Sequence, residues 1–584
     1  MKRIFLLLTL VALLCGCGES QRQTRIQVSI LESEGFTVEN NGQWVEPGGD
    51  AVFYLDMAPG LALGTTDFDG SVSSRVVGGK TELTVRRVRY PTRLRLNLTE
   101  DFAQITYDPN GGEGERVTEI YDRSLHSRPN TSNGQNLFTR QGYTLTGWNT
   151  AADGSGQTVG LGSRITAGPE GVTLYAQWAA WNPESDFSYT EGVYLTITGY
   201  HGSADPIVVP ETIGGRTVGA IAHRAFQNCD AKELILPSTL RQVAEGAFQN
   251  CAFESVTLFD SIEGISNASF RDCGDLHTLR INAWEPPFGY LYRKESVYAD
   301  KVDLLIHARG KRKLVFYGGC AAWYNLDGEQ AEEAFGEEYE ILNLALNGTV
   351  NSAFQLQLLQ HFLEPGDILF HTPELTSKPQ MMRETLLDRG DDKLWCGLEN
   401  NYDLVSLVDF QSMPGLLESF CAYLEGKVQA SDYGSTFRDS QGRSYLDDWG
   451  CVPFERTESA KALSDPVALD PACVDAAAME RLGAAYQSFM DKGIRVYVGF
   501  ACVNLDAVPE AQRHNVQLMD ELFRAAIDAM DGPVLISRLE DYLYHNEDFY
   551  DTNYHLLSAQ AEENTALWVR DLLAQMEQEG ERRP

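Results

Sequence analysis

Four short segments in the C-terminal half contain residues that could react or form hydrogen bonds in an active site. Each segment follows an apolar stretch or precedes a helical pattern. In the first segment, Gly319 and Cys320 follow a run of apolar residues and precede a helical pattern. A glycine turn in this setting exposes the residue that follows it and leaves backbone N–H groups nearby. A thiol becomes nucleophilic when its thiolate form is stabilised, for example by a nearby histidine. Cys320 is therefore the first candidate for chemistry.

The other three segments supply candidate partners for this thiol. Asn347 and Gly348 follow a second apolar run, and Glu374 follows a third. Asp551 and His555 lie four positions apart, just before the last helical pattern of the chain. Sites in parallel sheets form at the carboxyl ends of the strands, so these positions are predicted to line one site.

The elements that would position these residues are alternating strands and helices. Residues 286–584 contain short, continuously apolar runs that are separated by helical patterns, such as those near 353–362 and 558–576. Continuous apolar strands indicate a parallel sheet that is covered on both faces, so an α/β domain with a doubly wound parallel sheet is predicted. The predicted strands cover residues 314–317, 341–344, 366–370, 495–500 and 533–536.

This arrangement resembles an SGNH (GDSL-like) hydrolase domain, closest to the cell-envelope members related to the lipoteichoic-acid D-alanylation protein and the alginate O-acetylation proteins. In that family a serine after the first strand attacks an acyl carbon, and a histidine near the C-terminus takes its proton. An aspartate orients the histidine. The resemblance implies that Cys320 is the nucleophile, His555 the base and Asp551 the orienting acid, and it implies no cofactor.

The resemblance also implies where an oxyanion would be stabilised. Backbone N–H groups near Gly319 and Gly348, with Asn347 beside it, fall where the family has oxyanion donors. Glu374 lies where the family's third-block asparagine would be sought.

Three features depart from the family pattern. Cysteine replaces the nucleophilic serine, the acid and the histidine are four positions apart where the family usually has three, and Glu374 replaces the third donor. A larger sulfur in a site shaped for an alkoxide can lower the rate by about 10²-fold. The alternative is a domain that retains the fold and binds without catalysis.

Other polar residues in this half have weaker signals. His371, at a predicted strand end, could line the pocket or serve as a hydrogen-bonded structural histidine. Asp391–Asp392 and Asp447–Asp448 are interpreted as solvated loop charges, because no histidine or third carboxylate is fixed beside them. No metal site is predicted.

A 22-residue repeat precedes this domain. Ala-Phe-Gln-Asn-Cys ends at Cys229 and at Cys251, and a related motif ends at Cys273. A fixed period in this range predicts a solenoid whose coils stack equivalent side chains. Residues 185–284 resemble a BspA-type leucine-rich repeat. The three cysteines are expected to form an interior ladder of small thiols.

Two β modules are predicted nearer the N-terminus. Residues 25–98 mix short apolar runs with Gly-rich turns and indicate a small β domain. Residues 101–178 resemble the internalin B-type (Listeria–Bacteroides) repeat, a β-grasp-like module that implies a spacer or adhesive role. Trp148 and Trp178 are interpreted as core residues rather than as a sugar-stacking platform.

The first residues resemble a bacterial lipoprotein signal, predicted to cover 1–17. Basic residues 2–3 precede an apolar run at 4–14, and Cys17 follows a small residue, as in a lipobox. Cys15 is the weaker candidate because bulky Leu14 precedes it, and an ordinary secretory signal is the alternative. The resemblance implies export, lipidation at Cys17 and a lipid anchor on the outer face of the cell membrane.

Composition restricts the classes of partner. The chain has 584 residues with 47 Lys and Arg against 83 Asp and Glu, a net charge of −36. Such an acidic surface repels phosphate backbones, so no nucleic-acid partner is expected. The leading hypothesis is acyl-ester hydrolysis or transfer on a cell-envelope polysaccharide or acylated glycan. The alternative is a surface adhesion protein with a degenerate hydrolase domain, whose repeats bind a glycan or a protein ligand.

Overall fold

The computed structural model describes residues 25–580 with several gaps. The residues left out are 1–24, 67–71, 89, 101, 123–130, 132–136, 164, 166, 169, 267, 284–296, 309–310, 347–351, 375–394, 396–397, 399–401, 408–415, 417–418, 421–422, 424–445, 460–465 and 581–584. Cys17, Asn347, Gly348 and Asp391–Asp392 therefore lie outside the described residues. The chain divides into two compact units, and the first comprises Met1–Thr106, Val117–Ser124 and Pro169–Gly171.

The first unit is built from short strands. Five of its strands pair in the order β11–β6–β7–β4–β2. Two smaller sheets have the orders β3–β1–β8 and β5–β9. Its core consists of alternate residues on these strands, such as Val28, Phe53 and Leu83, because successive side chains point to opposite faces. The strands are β1 (Ile26–Ile30), β2 (Phe36–Val38), β3 (Gln43–Val45), β4 (Gly49–Met57), β5 (Ala62–Thr66), β6 (Val72–Val77), β7 (Lys80–Val88), β8 (Thr92–Leu94), β9 (Leu96–Thr99), β10 (Phe102–Asp108), whose last two residues belong to the second unit, and β11 (Val117–Asp122).

The second unit begins with a small antiparallel sheet around a buried tryptophan. β12 (Tyr143–Asn149) lies between β13 (Thr158–Val159) and β14 (Val172–Ala180). Trp148 has no exposed surface, and its ring lies 4.9 Å from that of Tyr107. Trp148 is thus a core residue, whereas Trp178 is half-buried and donates its indole N–H to a backbone carbonyl.

The repeat region forms a solenoid with two parallel strand ladders. One ladder has the order β17–β20–β22–β24, and the other runs β16–β19–β21–β23. β15 pairs antiparallel with β16, and β18 pairs with β19. The strands are β15 (Phe187–Thr190), β16 (Leu195–Tyr200), β17 (Ile207–Val208), β18 (Thr212–Ile213), β19 (Arg216–Ile221), β20 (Glu233–Ile235), β21 (Gln242–Val243), β22 (Ser255–Phe259), β23 (Gly264–Ile265) and β24 (Thr278–Asn282).

The repeated Asn-Cys motif has a specific backbone role. Asn228, Asn250 and Asp272 occupy equivalent positions with φ of 63°, 58° and 62°, a conformation that asparagine and aspartate tolerate better than most residues. The thiol of Cys251 donates to the Phe226 carbonyl at 3.0 Å, and Cys273 makes the same bond one coil later. The cysteines are therefore hydrogen-bond donors between coils as well as small interior residues.

The C-terminal half contains a five-stranded parallel sheet of order β26–β25–β27–β28–β30. The parallel sheet predicted from the apolar runs is present, because each run supplies a strand that is buried on both faces. In the register between β25 and β27, Gly318 lies opposite Thr372, which brings the segments after these two strands together. The strands are β25 (Arg312–Gly318), β26 (Tyr339–Asn343), β27 (Ile368–Thr372), β28 (Arg495–Val498), β29 (Val503–Asn504), β30 (Val534–Leu535) and β31 (Leu543–Tyr544).

Seven helices accompany this sheet in the described part of the chain. Two of them begin at an aspartate whose carboxylate accepts a backbone N–H of the first turn, namely Asp327 and Asp475. Within the described ranges, no helix is both long and apolar enough to cross a bilayer. The helices are α1 (Val297–His307), α2 (Cys320–Tyr324), α3 (Gly328–Phe335), α4 (Ser352–Phe362), α5 (Ala476–Met490), α6 (Val516–Asp528) and α7 (Ser558–Gln578).

The apolar interior of the solenoid continues into the C-terminal half. The cluster that contains Leu258 and Phe270 also contains Ile306 of α1, Leu358 of α4 and Trp395. An open solenoid end exposes apolar side chains unless another element covers it. Residues of the following half supply that cover.

Candidate active site

Cys320 is the first residue of α2 and is half-buried. Gly319 precedes it in an extended conformation, with φ of −84° and ψ of −160°. A Cβ atom on Gly319 would lie 2.3 Å from Oε1 of Glu374, so a side chain there would displace this carboxyl group. Glycine thus lets the carboxyl group pack against the backbone of the turn.

Glu374 follows β27 and lies against the start of α2. Its Oε1 accepts the backbone N–H of Ala321 at 3.0 Å, and its carboxyl group also accepts a hydrogen bond from the thiol of Cys320. The side chain is buried, and burial raises the pKa of the carboxyl group, although these two hydrogen bonds oppose the shift. A backbone N–H that could otherwise face an oxyanion is thus bonded to Glu374.

His555 and Asp551 are in direct contact. Nδ1 of the imidazole and Oδ1 of Asp551 are 2.6 Å apart, His555 is buried, and Asp551 is exposed. The carbonyl of His555 accepts the N–H of Tyr550 at 2.7 Å, which closes the turn between the two residues. When Nδ1 donates to the carboxylate, Nε2 is left as the acceptor of a proton.

The histidine ring also contacts the helix that Cys320 begins. Its ring lies on Tyr324, with centroids 3.5 Å apart and planes 4° from parallel. Tyr324 is four residues after Cys320 in α2, and residues at that spacing lie on the same helix face. Burial raises the pKa of the Tyr324 phenol, and the nearby charges of Asp551 and Cys320 raise it further. Tyr324 therefore links the three predicted catalytic residues.

Asn325 fixes the backbone on both sides of His555. Its Nδ2 donates to the carbonyl of Tyr554 at 2.9 Å, and its Oδ1 accepts the N–H of Leu556 at 2.8 Å. Asn325 has no exposed surface, and Nδ2 also approaches Sγ of Cys502 at 3.0 Å. One side chain directly after α2 thus holds the two peptide units that flank the imidazole.

Arg456 makes a second connection between these segments. Its Nε donates to the carbonyl of Leu556 at 2.9 Å, and its Nη2 donates to the carbonyl of Tyr324 at 2.8 Å. The guanidinium is buried. Sequence reasoning missed Arg456 because nothing in the local pattern of its loop marks it. Tyr324 and Asn325 could have been noticed as the polar end of the segment that begins with Cys320.

His371 and Asp447, which were also considered from the sequence, form hydrogen bonds within the fold. Nδ1 of His371 lies 2.6 Å from the hydroxyl of Tyr486, and burial lowers the pKa of His371 to about 3, so this histidine is neutral. Oδ1 of Asp447 accepts the backbone N–H groups of Trp449 and Cys451. Within the described ranges, no cluster of three or more His, Cys, Asp or Glu side chains could hold a metal ion.

An open cleft of about 380 Å³ lies beside Arg456. Its walls come from the start of α3, from α7 and from the loop around residues 447–456. Trp449 and Phe454 give it two aromatic surfaces, while most of its charged groups are acidic. The lining residues are Leu326, Asp327, Gly328, Glu329, Asp447, Trp449, Cys451, Val452, Pro453, Phe454, Glu455, Arg456, Ser558, Ala561 and Glu562.

Two parts of the chain match known families. Residues 211–285 match the BspA type leucine rich repeat region in six copies. Residues 104–177 match the Listeria-Bacteroides repeat domain. The chain contains both repeat types. Both resemblances drawn from the spaced Cys, Gly and aromatic residues are thereby confirmed.

Similarity to individual proteins is confined to short segments. A protein of Evansella cellulosilytica, named as a candidate membrane protein, is 51% identical over 49 residues, which are 8% of this chain and 7% of that protein. A second protein of that organism, named as a candidate Gly-rich membrane protein, is 52% identical over 44 residues, or 8% and 5% of the two chains. The matched segments thus span less than a tenth of either relative. The crystal structure of a T. pallidum leucine-rich repeat protein aligns with 17% of this chain and 70% of its own, at 18% identity and a TM-score of 0.12.

Proposed function

We propose that this protein is a cell-envelope lipoprotein whose C-terminal half is an SGNH-like domain with acyl-ester activity. The substrate would be an acylated envelope polysaccharide, and the reaction would be hydrolysis or acyl transfer. The observation that carries the proposal is the stacking of His555, bonded to Asp551, on the helix that Cys320 begins. Nucleophilic catalysis by a thiol uses a histidine that an acid orients, and the His555–Asp551 pair lies against the helix that begins with Cys320.

The reaction would proceed in two steps on these residues. Sγ of Cys320 adds to the acyl carbon while its proton passes to Nε2 of His555, and the carbonyl electrons move to oxygen. The ester C–O bond then breaks, and the imidazolium returns its proton to the leaving alcohol. Water or a sugar hydroxyl releases the acyl group from sulfur by the same route. Asp551 holds the tautomer and stabilises the transient positive charge.

The envelope location is supported by the repeats and by the names of the relatives. The BspA-type and Listeria-Bacteroides repeats, together with relatives named as membrane proteins, are consistent with an envelope protein. Cys17 is the proposed lipidation site and would anchor the chain on the outer face of the membrane.

A second candidate function is binding without catalysis. It is favoured by Glu374, because its carboxyl group occupies the N–H of Ala321 that an oxyanion would need. In this case the repeats would bind a glycan or a protein, and the C-terminal half would be a degenerate hydrolase domain.

Acetyl-ester hydrolysis distinguishes the two candidates. We expect wild type to turn over p-nitrophenyl acetate, and Cys320→Ala and His555→Ala to lose about 10²-fold or more. His514→Ala changes an exposed histidine on another element and serves as the matched control. Equal background rates in all four proteins would exclude the enzyme. A rate that rises in Cys320→Ser would indicate an inactivated site in a binding domain.

A further inference from the structure

Glu374 is a buried acid that contacts the proposed nucleophile. It accepts hydrogen bonds from the Ala321 N–H and the Cys320 thiol, and it forms no ion pair with any Lys, Arg or His among the described residues. A buried carboxyl group that lacks a cationic partner favours its neutral form. Such a group can donate a hydrogen bond at neutral pH, which a carboxylate cannot.

The surroundings of Glu374 oppose its ionisation through burial, whereas the two hydrogen bonds that it accepts favour the carboxylate. The turn contributes only the backbone of Gly319, and α2 contributes the Ala321 N–H and the Cys320 thiol. On another side, the Cys502 thiol and Glu374 line a cavity of about 10 Å³, the size of one water, whose other walls are largely apolar. Two titratable groups interact with Glu374, namely the thiols of Cys320 and Cys502.

We propose that Glu374 is a catalytic residue that acts as a neutral carboxylic acid and donates a hydrogen bond to the oxyanion formed at Cys320. Oε1 is the oxygen that accepts the Ala321 N–H, which leaves Oε2 to carry the proton. When sulfur adds to the acyl carbon, the thiol proton passes to His555, and the Oε2–H group bonds to the new O⁻ without transferring its proton. The acid thereby replaces the amide donor that the sequence lacks. This inference rests on the proposed acyl-ester function.

The pH dependence of acylation tests the role of Glu374. The rate of acyl-enzyme formation at Cys320 would be followed with p-nitrophenyl acetate and by the mass of the modified peptide, from pH 5 to pH 9. Wild type should lose rate on the alkaline side as Glu374 ionises. Glu374→Gln keeps an N–H donor that cannot ionise, so this decline should disappear while the acid-side rate stays within about threefold. Glu374→Leu should be about 10²-fold slower than wild type on the acid side, and this difference should shrink as wild type declines at alkaline pH.

Controls separate this inference from the function on which it rests. Glu510→Gln changes an exposed acid and should leave the wild-type profile unchanged. An alkaline decline that persists in Glu374→Gln would overturn the role of Glu374 alone. Absence of turnover in wild type would overturn both the enzyme and this role. If circular dichroism shows that Glu374→Leu does not fold, the pH–rate profile of Glu374→Gln alone still tests whether Glu374 donates to the oxyanion.

Discussion

The imidazole of His555 lies flat on the phenol ring of Tyr324, with ring centroids 3.5 Å apart. Because Tyr324 is one helical turn after Cys320, the position of the base is defined relative to the helix of the thiol. The edge contact with Asp551 and the face contact with Tyr324 together restrict both the tilt and the rotation of the imidazole. The proposed base is therefore oriented before any substrate binds.

Removing the aromatic face should reduce turnover more than removing the hydroxyl. We expect Tyr324→Phe to keep ester turnover within about twofold, because the stacking is retained. Tyr324→Leu should lower the rate about tenfold, since small misplacements of catalytic groups are costly. The measurement is the initial rate with p-nitrophenyl acetate, compared between variants whose melting temperatures are similar. Equal losses in both variants would argue that the hydroxyl matters and the stacking does not.

Asn325→Ala should affect both stability and turnover. The change leaves the buried Leu556 N–H without its partner, which costs about 1–3 kcal/mol of unfolding free energy, and leaves the Tyr554 carbonyl with the Cys502 thiol as a donor. The turn that carries His555 would also lose its fixed position. Urea unfolding and ester turnover are the measurements. Asn515→Ala is the control. It removes one side-chain hydrogen bond to the Leu469 carbonyl, and it should lower stability without the same loss of turnover.

Lys301 predicts a specific pH dependence of stability. It is fully buried, its Nζ donates to the Ala345 carbonyl at 2.6 Å, and burial lowers its pKa from 10.5 to about 7. Between these values the unfolded chain binds a proton that the folded chain does not. The unfolding free energy should therefore rise with pH over this range, by up to about 1.4 kcal/mol per pH unit, and the contribution is lost as pH falls toward 7.

Lys301→Met should remove this slope. Urea midpoints at pH 7, 8 and 9 give the measurement, taken as differences between the variant and wild type. Lys311→Met is the control, because that lysine also donates to a backbone carbonyl but is half-exposed. A slope that survives in Lys301→Met would assign the pH dependence to other groups.

Substitutions of Cys251 in the cysteine ladder should lower the stability of the protein to different extents. Cys251→Ala should destabilise the protein by about 1–3 kcal/mol, because it removes the thiol donor, leaves the Phe226 carbonyl with only the Cys229 N–H and opens a small cavity. Cys251→Ser keeps a donor and should recover part of the loss. Thermal unfolding of the two variants provides the comparison. Identical melting temperatures for serine and alanine would mean that the S–H bond contributes nothing.

Local patterns predicted the strands of the sheet better than the surroundings of the site. Residues 314–317 and 341–344 were predicted as strands and largely coincide with β25 and β26, because buried parallel strands appear as continuous apolar runs. The site depends instead on contacts between distant positions. Arg456 is 100 residues from Leu556 and 132 from Tyr324, so no spacing rule could reveal its two bonds. The place of Glu374 was predicted, whereas its bond to the Ala321 N–H was not.

The shared interior of the solenoid and the C-terminal half has a consequence for how the chain can be divided. Cutting near residue 284 would uncover Leu258 and Phe270 on one fragment and Leu358 and Trp395 on the other. Both fragments would expose these apolar side chains to solvent and would tend to self-associate. We therefore expect the repeats and the C-terminal half to unfold as one cooperative unit, and an exchange of modules at this junction would have to include the contact residues of both parts.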